Sequence, residues 1–204
     1  MNAKTIAILI LALAALALAG CGGGDEESAP DHKDAAAQTS LFLLDGDWTD
    51  QTGAVRVLED FRGKLIVTAM MFTNCSYACP RIVADLQGIE AAIPAGNRDD
   101  VQFLLVSMDS DRDTPEVLEA FANEKGLDPK HWTLLHGDEF EVRGVGAALG
   151  VRFKRGIKGD FAHSNIITVL DREGRQVFQL EGLNADAAPV VAAIRERLPR
   201  AKSK

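Results

Sequence analysis

LIVTAMMFTNCSYACPRIVADLQGIEAAI, residues 65–93, changes its hydrophobic period part-way along. Leu65 to Met71 is an apolar run of strand length, the pattern of a strand buried on both faces between helices. From Pro80 onward, Ile82, Val83, Leu86, Ile89 and Ile93 recur at helical spacing, so one face of a helix is apolar. Proline suits the first turn of a helix, where a backbone N–H has no partner to lose. A helix is therefore expected to begin just beyond Cys79. A buried strand running straight into a helix is the repeating step of an α/β fold.

The flanking sequence repeats the step. Val101 to Val106 reads as a second buried strand, and Thr114-Pro115 opens a helix with Thr as cap and Pro at the first helical position, ended by Gly126. Trp132 to Leu135 is a third apolar run, and Phe140 to Leu149 is a helix closed by Gly150. Ile166 to Leu170 leads through Asp171-Arg172-Glu173-Gly174 into Val177 to Leu180 as a hairpin, and Ala185 to Leu198 supplies a final amphipathic helix. Upstream, Trp48 to Gly53 and Val55 to Leu58 read as a polar hairpin at a sheet edge. That order predicts an α/β fold: a thioredoxin-like three-layer sandwich with a mixed central sheet, helices on both faces and an N-terminal β-hairpin.

The N-terminus carries an address. Met1 to Lys4 is a short, positively charged start, and Ile6 to Ala19 is an uncharged run of Ile, Leu and Ala, shorter than the roughly 20 residues that span a bilayer. Leu18-Ala19-Gly20-Cys21 follows as a lipobox, so residues 1–20 are expected to be a lipoprotein signal peptide and Cys21 the lipidated N-terminus. Residues 21–40 hold no apolar side chain larger than Ala after Cys21 and read as a flexible tether, with the folded domain at 41–204. The domain is thus expected at the cell membrane, lipid-anchored on the periplasmic or other extracytoplasmic face, as a monomer. With 22 basic against 30 acidic residues and a formal charge of -8, the chain is no nucleic-acid binder.

Two cysteines remain beyond Cys21, Cys75 and Cys79, spaced Cys-x3-Cys at the strand-to-helix junction. Positions four apart at a helix start face the same way, so a disulfide and a shared metal are both geometrically open to the pair. The partial positive charge of a helix N-terminus favours thiolate there. A purely structural bridge closing so short a loop would remove little unfolded-state entropy. Two soft thiolates suit copper(I), whereas structural zinc wants four protein ligands. The third donor must come from His32, His131, His136 or His163. His32 lies in the tether, and His131 and His136 flank a strand with nothing to single them out. His163, in Asp160-Phe161-Ala162-His163-Ser164-Asn165 ahead of a buried strand, is best placed, in a connecting loop facing the cysteines.

Phe72 to Pro80 (FTNCSYACP), Val106 to Glu116 (VSMDSDRDTPE) and Phe161 to Ser164 (FAHS) resemble, in order, the three signature segments of the SCO/SenC family, over about Leu41 to Leu198. The resemblance implies Cys75 and Cys79 as copper-binding thiols that also pair as a disulfide, His163 as the third copper ligand, and a part in building respiratory copper centres. Many family members carry Pro directly after the first cysteine; here Ser76 stands there, restoring a backbone N–H at that turn. Asp109, Asp111 and Asp113 begin like a calcium loop, but Thr114 replaces the required Gly and Ala120 stands at the twelfth position, so calcium is not expected. The acidic loop is expected to act as a helix cap with favourable charges, ahead of a role at the site's rim or in docking. Met70, Met71 and Met108 are expected in the core.

The leading expectation is a copper metallochaperone, holding Cu(I) or Cu(II) and serving a copper-containing respiratory enzyme such as cytochrome c oxidase, or another copper acceptor. The alternative is a thiol-disulfide oxidoreductase using Cys75 and Cys79 on a copper site or another exported protein. Against it, thioredoxin-type motifs have two residues between the cysteines, and His163-Ser164 stands where thioredoxins place a proline. A peroxidase ranks last, since the expected Pro and Thr frame around a single leading Cys is missing.

Overall fold

The computed structural model describes residues 39–75, 77–157 and 160–199. The signal peptide, the lipidation at Cys21, the tether as far as Gln38, His32 and Ser76 lie outside the described residues.

Seven strands form one mixed sheet: β1 (Trp48–Asp50), β2 (Val55–Arg56), β3 (Leu65–Met71), β4 (Val101–Ser107), β5 (Trp132–His136), β8 (Ile166–Leu170) and β9 (Gln176–Glu181), in the order β2-β1-β5-β4-β3-β8-β9. The neighbours β3, β4 and β5 run parallel; the pairs β1–β2, β1–β5, β3–β8 and β8–β9 are antiparallel. Every position of β3, β4 and β8 is buried, as their apolar runs predict for strands covered on both faces. The fold is the expected thioredoxin-like α/β arrangement. The N-terminal hairpin lies at the sheet edge as expected and is partly buried: Trp48 and Asp50 are buried, and the Asp50 carboxylate accepts from Arg56 Nε at 2.7 Å.

Among the described residues four α-helices accompany the sheet: α1 (Ala78–Ala92), α2 (Pro115–Lys125), α3 (Glu139–Ala148) and α4 (Ala188–Arg195). Helix α1 opens at Ala78, ahead of the expected start beyond Cys79. Pro80 is then the third helical residue, still among the first N–H positions that have no intrahelical acceptor, so it permits the earlier start. This places Cys79 inside the first turn. Helix α2 ends on Gly126 in the left-handed conformation, φ 66°. Thr114 occupies the cap position of α2, but its hydroxyl donates to Glu116 Oε2 at 2.7 Å and makes no cap bond to the helix backbone.

Two strands are additional to the sequence expectation. β6 (Phe153–Arg155) and β7 (Phe161–His163) pair antiparallel as a separate two-stranded sheet. Ser40, read as the end of the tether, is tied to the domain: its hydroxyl donates to the Glu173 carbonyl, and Leu41 N donates to the Gly174 carbonyl at 2.8 Å.

Candidate metal centre

β3 and β4 end in register, with Met71 opposite Ser107, so the loops that follow them lie side by side. The first carries Cys75; the second carries the acidic run. Asp113 joins them. Its carboxylate accepts from the Thr73 N–H at 2.9 Å, from the Thr73 hydroxyl, and from the Ser107 hydroxyl. Asp109 and Asp113 are fully buried. The helix-cap role expected for this loop is therefore corrected: the backbone and hydroxyl donors at the ends of two parallel strands, together with Arg112 and Arg155 beside Asp109, give these carboxylates inward partners. Among the described residues the three aspartates form no metal-holding group.

Cys75, Cys79 and His163 do form one, with one ligand atom from each lying within 4.8 Å of the others. Cys75 is half-buried at the end of its loop and Cys79 is buried in the first turn of α1; both are free thiols in this structure, so the state described is not the disulfide. The Cys79 N–H points at Cys75 Sγ, 3.3 Å away, and the Phe72 N–H at Cys79 Sγ, 3.4 Å away.

The two thiols differ in acidity. Burial raises the Cys75 pKa, but the N–H groups of Cys79, Tyr77 and Ala78 at the helix start, with the Cys79 thiol, outweigh it and leave Cys75 below the ordinary thiol range. Burial dominates at Cys79 and pushes it far up; the Phe72 N–H offsets only part, and negative charge on Cys75 and Asp113 adds to the rise. Cys75 is thus the more acidic of the two thiols, and Cys79 is held as thiol.

His163 closes β7, where a connecting loop was expected. A strand fixes side-chain direction more firmly than a loop does: Phe153 lies directly opposite across the ribbon, and the imidazole meets the Phe72 ring edge-on at 6.1 Å between centroids. Nδ1 lies 3.1 Å from the Ser164 carbonyl, which can only accept, so a hydrogen on Nδ1 is the arrangement this contact favours, and in the neutral ring that leaves Nε2 as the donor atom. Among the described residues the other two histidines, His131 and His136, stay outside the cluster. His136 Nδ1 donates to the Asp113 carbonyl at 3.0 Å, helping hold the acidic loop, and His131 pairs with Asp99 at 3.1 Å. Met70, Met71 and Met108 are core residues, as expected.

The cluster opens on a groove lined by Asn74, Cys75, Tyr77, Asp160, Phe161 and His163, with Tyr77 80% exposed at its edge. Two sulfurs and one imidazole nitrogen, with one side open, fit a soft ion of low coordination number such as copper(I) and fall one ligand short of closed structural zinc. The groove leaves Cys75 and His163 accessible from outside.

The model of the SCO1/SenC family matches residues 34–199 of this chain. A SCO1 homolog of Bacillus subtilis (strain 168) is 31% identical over 88 residues, covering 43% of this chain and 45% of that protein, so the alignment spans about half of the relative's length. The crystal structure of a SCO1/SenC family lipoprotein from Bacillus anthracis is similar at a TM-score of 0.69 and 25% identity, covering 78% of this chain and 98% of that one. The structure of Bradyrhizobium japonicum ScoI with copper bound is similar at a TM-score of 0.64 and 26% identity, covering 75% of this chain and 97% of that one.

Proposed function

The chain belongs to the SCO1/SenC family, and from that premise we propose that it is a copper metallochaperone which holds copper at Cys75, Cys79 and His163 and assists the assembly of a copper centre in a respiratory enzyme of the cytochrome c oxidase type. The observation that carries the proposal is the meeting of two sulfurs and an imidazole nitrogen within 4.8 Å beside an open groove. The similarity to a ScoI structure with copper bound supports the choice of metal. A lipid on Cys21 would hold the chain at a cell membrane, on its periplasmic or other extracytoplasmic face; this part of the proposal is supported by Leu18-Ala19-Gly20-Cys21 and by the similarity to a family lipoprotein.

The residues divide the work. Cys75, the more acidic and the more exposed of the two thiols, meets the incoming copper first. Cys79 follows when its proton is displaced, because only the thiolate is a ligand. His163 adds Nε2 from the other side of the groove. Release to an acceptor proceeds through the open side, where a donor of the partner replaces these ligands one at a time.

A second activity, thiol-disulfide exchange, is favoured by the contrast between the two thiols. The Cys75 thiolate attacks one sulfur of a partner's disulfide and expels the other as thiolate. Cys79 then gives up its proton and resolves the mixed disulfide, so the partner is reduced by two electrons and Cys75–Cys79 is left as a disulfide. Both activities draw on the same reduced pair.

Anaerobic titration of the reduced protein with copper(I) and copper(II), alongside Cys75→Ser, Cys79→Ser and His163→Ala, tests the proposal. One copper per chain, lost in either Ser variant and spectrally altered in His163→Ala, is expected. Copper binding no better than that of the Ser variants, with ready disulfide exchange, would replace the metallochaperone by the oxidoreductase.

A further inference from the structure

The β6–β7 ribbon that carries His163 shares no ladder with the main sheet. Its base is fixed where the Val151 N–H donates to the Gly146 carbonyl, at 2.8 Å, and where Asn165 runs into β8, its carbonyl accepting from Gly182 N at 2.8 Å. A two-stranded ribbon is marginal on its own, so its seating depends on the packing of Phe153 and Phe161 against the core and on the contacts made by its far end. Arg155 sits at that end, opposite Phe161 in the ribbon register. Its guanidinium reaches Asp109 Oδ1 at 2.8 Å and pairs also with Asp111. The same group covers the Phe161 ring at 5.2 Å from the centroid, and Phe161 in turn meets Phe72 at 5.2 Å. Phe72 is the residue that follows β3 and whose N–H points at Cys79. The side chain of Asp109 is completely buried, a fixed anchor at the end of β4, while the arginine is 42% exposed.

We infer that Arg155 is a positioning residue for copper binding: by bridging Asp109 and Asp111 it seats the β6–β7 ribbon on the domain and so sets the distance from His163 to Cys75 and Cys79. The inference rests on the assignment of those three residues as copper ligands. The planar fork matters, because it engages two carboxylates and an aromatic face together, and a lysine ammonium cannot reproduce that geometry.

Competition titration of the reduced protein with copper(I) against a chromophoric chelator, for the wild type, Arg155→Gln, Arg155→Lys, His163→Ala and the Arg155→Gln/His163→Ala pair, tests it. Loss of a residue supporting a metal ligand typically weakens metal binding about 10–100-fold. Arg155→Gln is expected to weaken copper(I) within that range, with Arg155→Lys between it and the wild type, and to add no further loss in the His163→Ala background. Unchanged affinity in Arg155→Gln while His163→Ala weakens binding, or an equal further loss in the double variant, would overturn the inference. Should circular dichroism show Arg155→Gln unfolded, Asp109→Asn/Arg155→Gln removes the buried charge along with Arg155, one of its two arginine partners; the same weakening is expected, and full affinity would overturn the inference. A wild-type chain that binds no copper would instead strike the ligand assignment itself, and this inference with it.

Discussion

Asp113 offers a direct test of how the cysteine loop is built. Replacing it by Ala removes one fully buried carboxylate and strands three donors, the Thr73 N–H, the Thr73 hydroxyl and the Ser107 hydroxyl. Hydrogen bonds to a charged group are worth about 1.5–3 kcal/mol each, and they are not additive within one network, since the hydroxyls can rotate to other acceptors. A net loss of about 3–5 kcal/mol is expected for Asp113→Ala. In a domain of this size that lowers the midpoint of thermal unfolding by about 10 °C. Asp113→Asn keeps one acceptor oxygen and should fall between the wild type and Ala. The assay is thermal and urea unfolding of the reduced, metal-free protein by circular dichroism, so that neither copper nor a disulfide contributes to the measured stability. A loss under about 1 kcal/mol for Asp113→Ala would refute the claim that this carboxylate pins the loop carrying Cys75.

The contrast in acidity and burial between the thiols predicts that iodoacetamide at neutral pH modifies Cys75 well before Cys79; mass spectrometry of a time course checks this, and equal rates would contradict it. The raised Cys79 pKa keeps that residue protonated through the neutral range, so copper(I) must displace its proton. Affinity should therefore rise with pH, by about tenfold per unit while Cys79 alone releases a proton, and more steeply below the pKa of Cys75, where two protons leave. Competition titrations at several pH values follow it; an affinity flat with pH would show that both sulfurs are already thiolates.

The core of the fold was legible because its strands are long and apolar. Leu65–Met71 and Val101–Ser107 are buried at every position, so nothing in their patterns competes with the strand assignment. The β6–β7 ribbon leaves only a faint mark in the sequence: Phe153-Lys154-Arg155 and Phe161-Ala162-His163 are separated by five residues that include Gly156 and Gly159, a usable hairpin signal. Three-residue strands with mixed polarity give too few periods for a hydrophobic pattern to register. Cys75, Cys79 and His163 were identified from residue chemistry and the segments around them, and the structure brings the three together. What sequence could not supply is the inward turn of Asp109 and Asp113 and the part played by Arg155. Those depend on β3 and β4 ending side by side and on partners 40 and 46 positions away along the chain.

X-ray absorption at the copper edge of the reduced, copper(I)-loaded protein is the most direct measurement of the central claim. Two sulfur donors and one nitrogen donor per copper are expected in the wild type, with the nitrogen lost in His163→Ala and a sulfur lost in Cys75→Ser or Cys79→Ser. A first shell that keeps its nitrogen in His163→Ala, or that holds fewer than two sulfurs in the wild type, would contradict the assignment of this cluster as the copper centre.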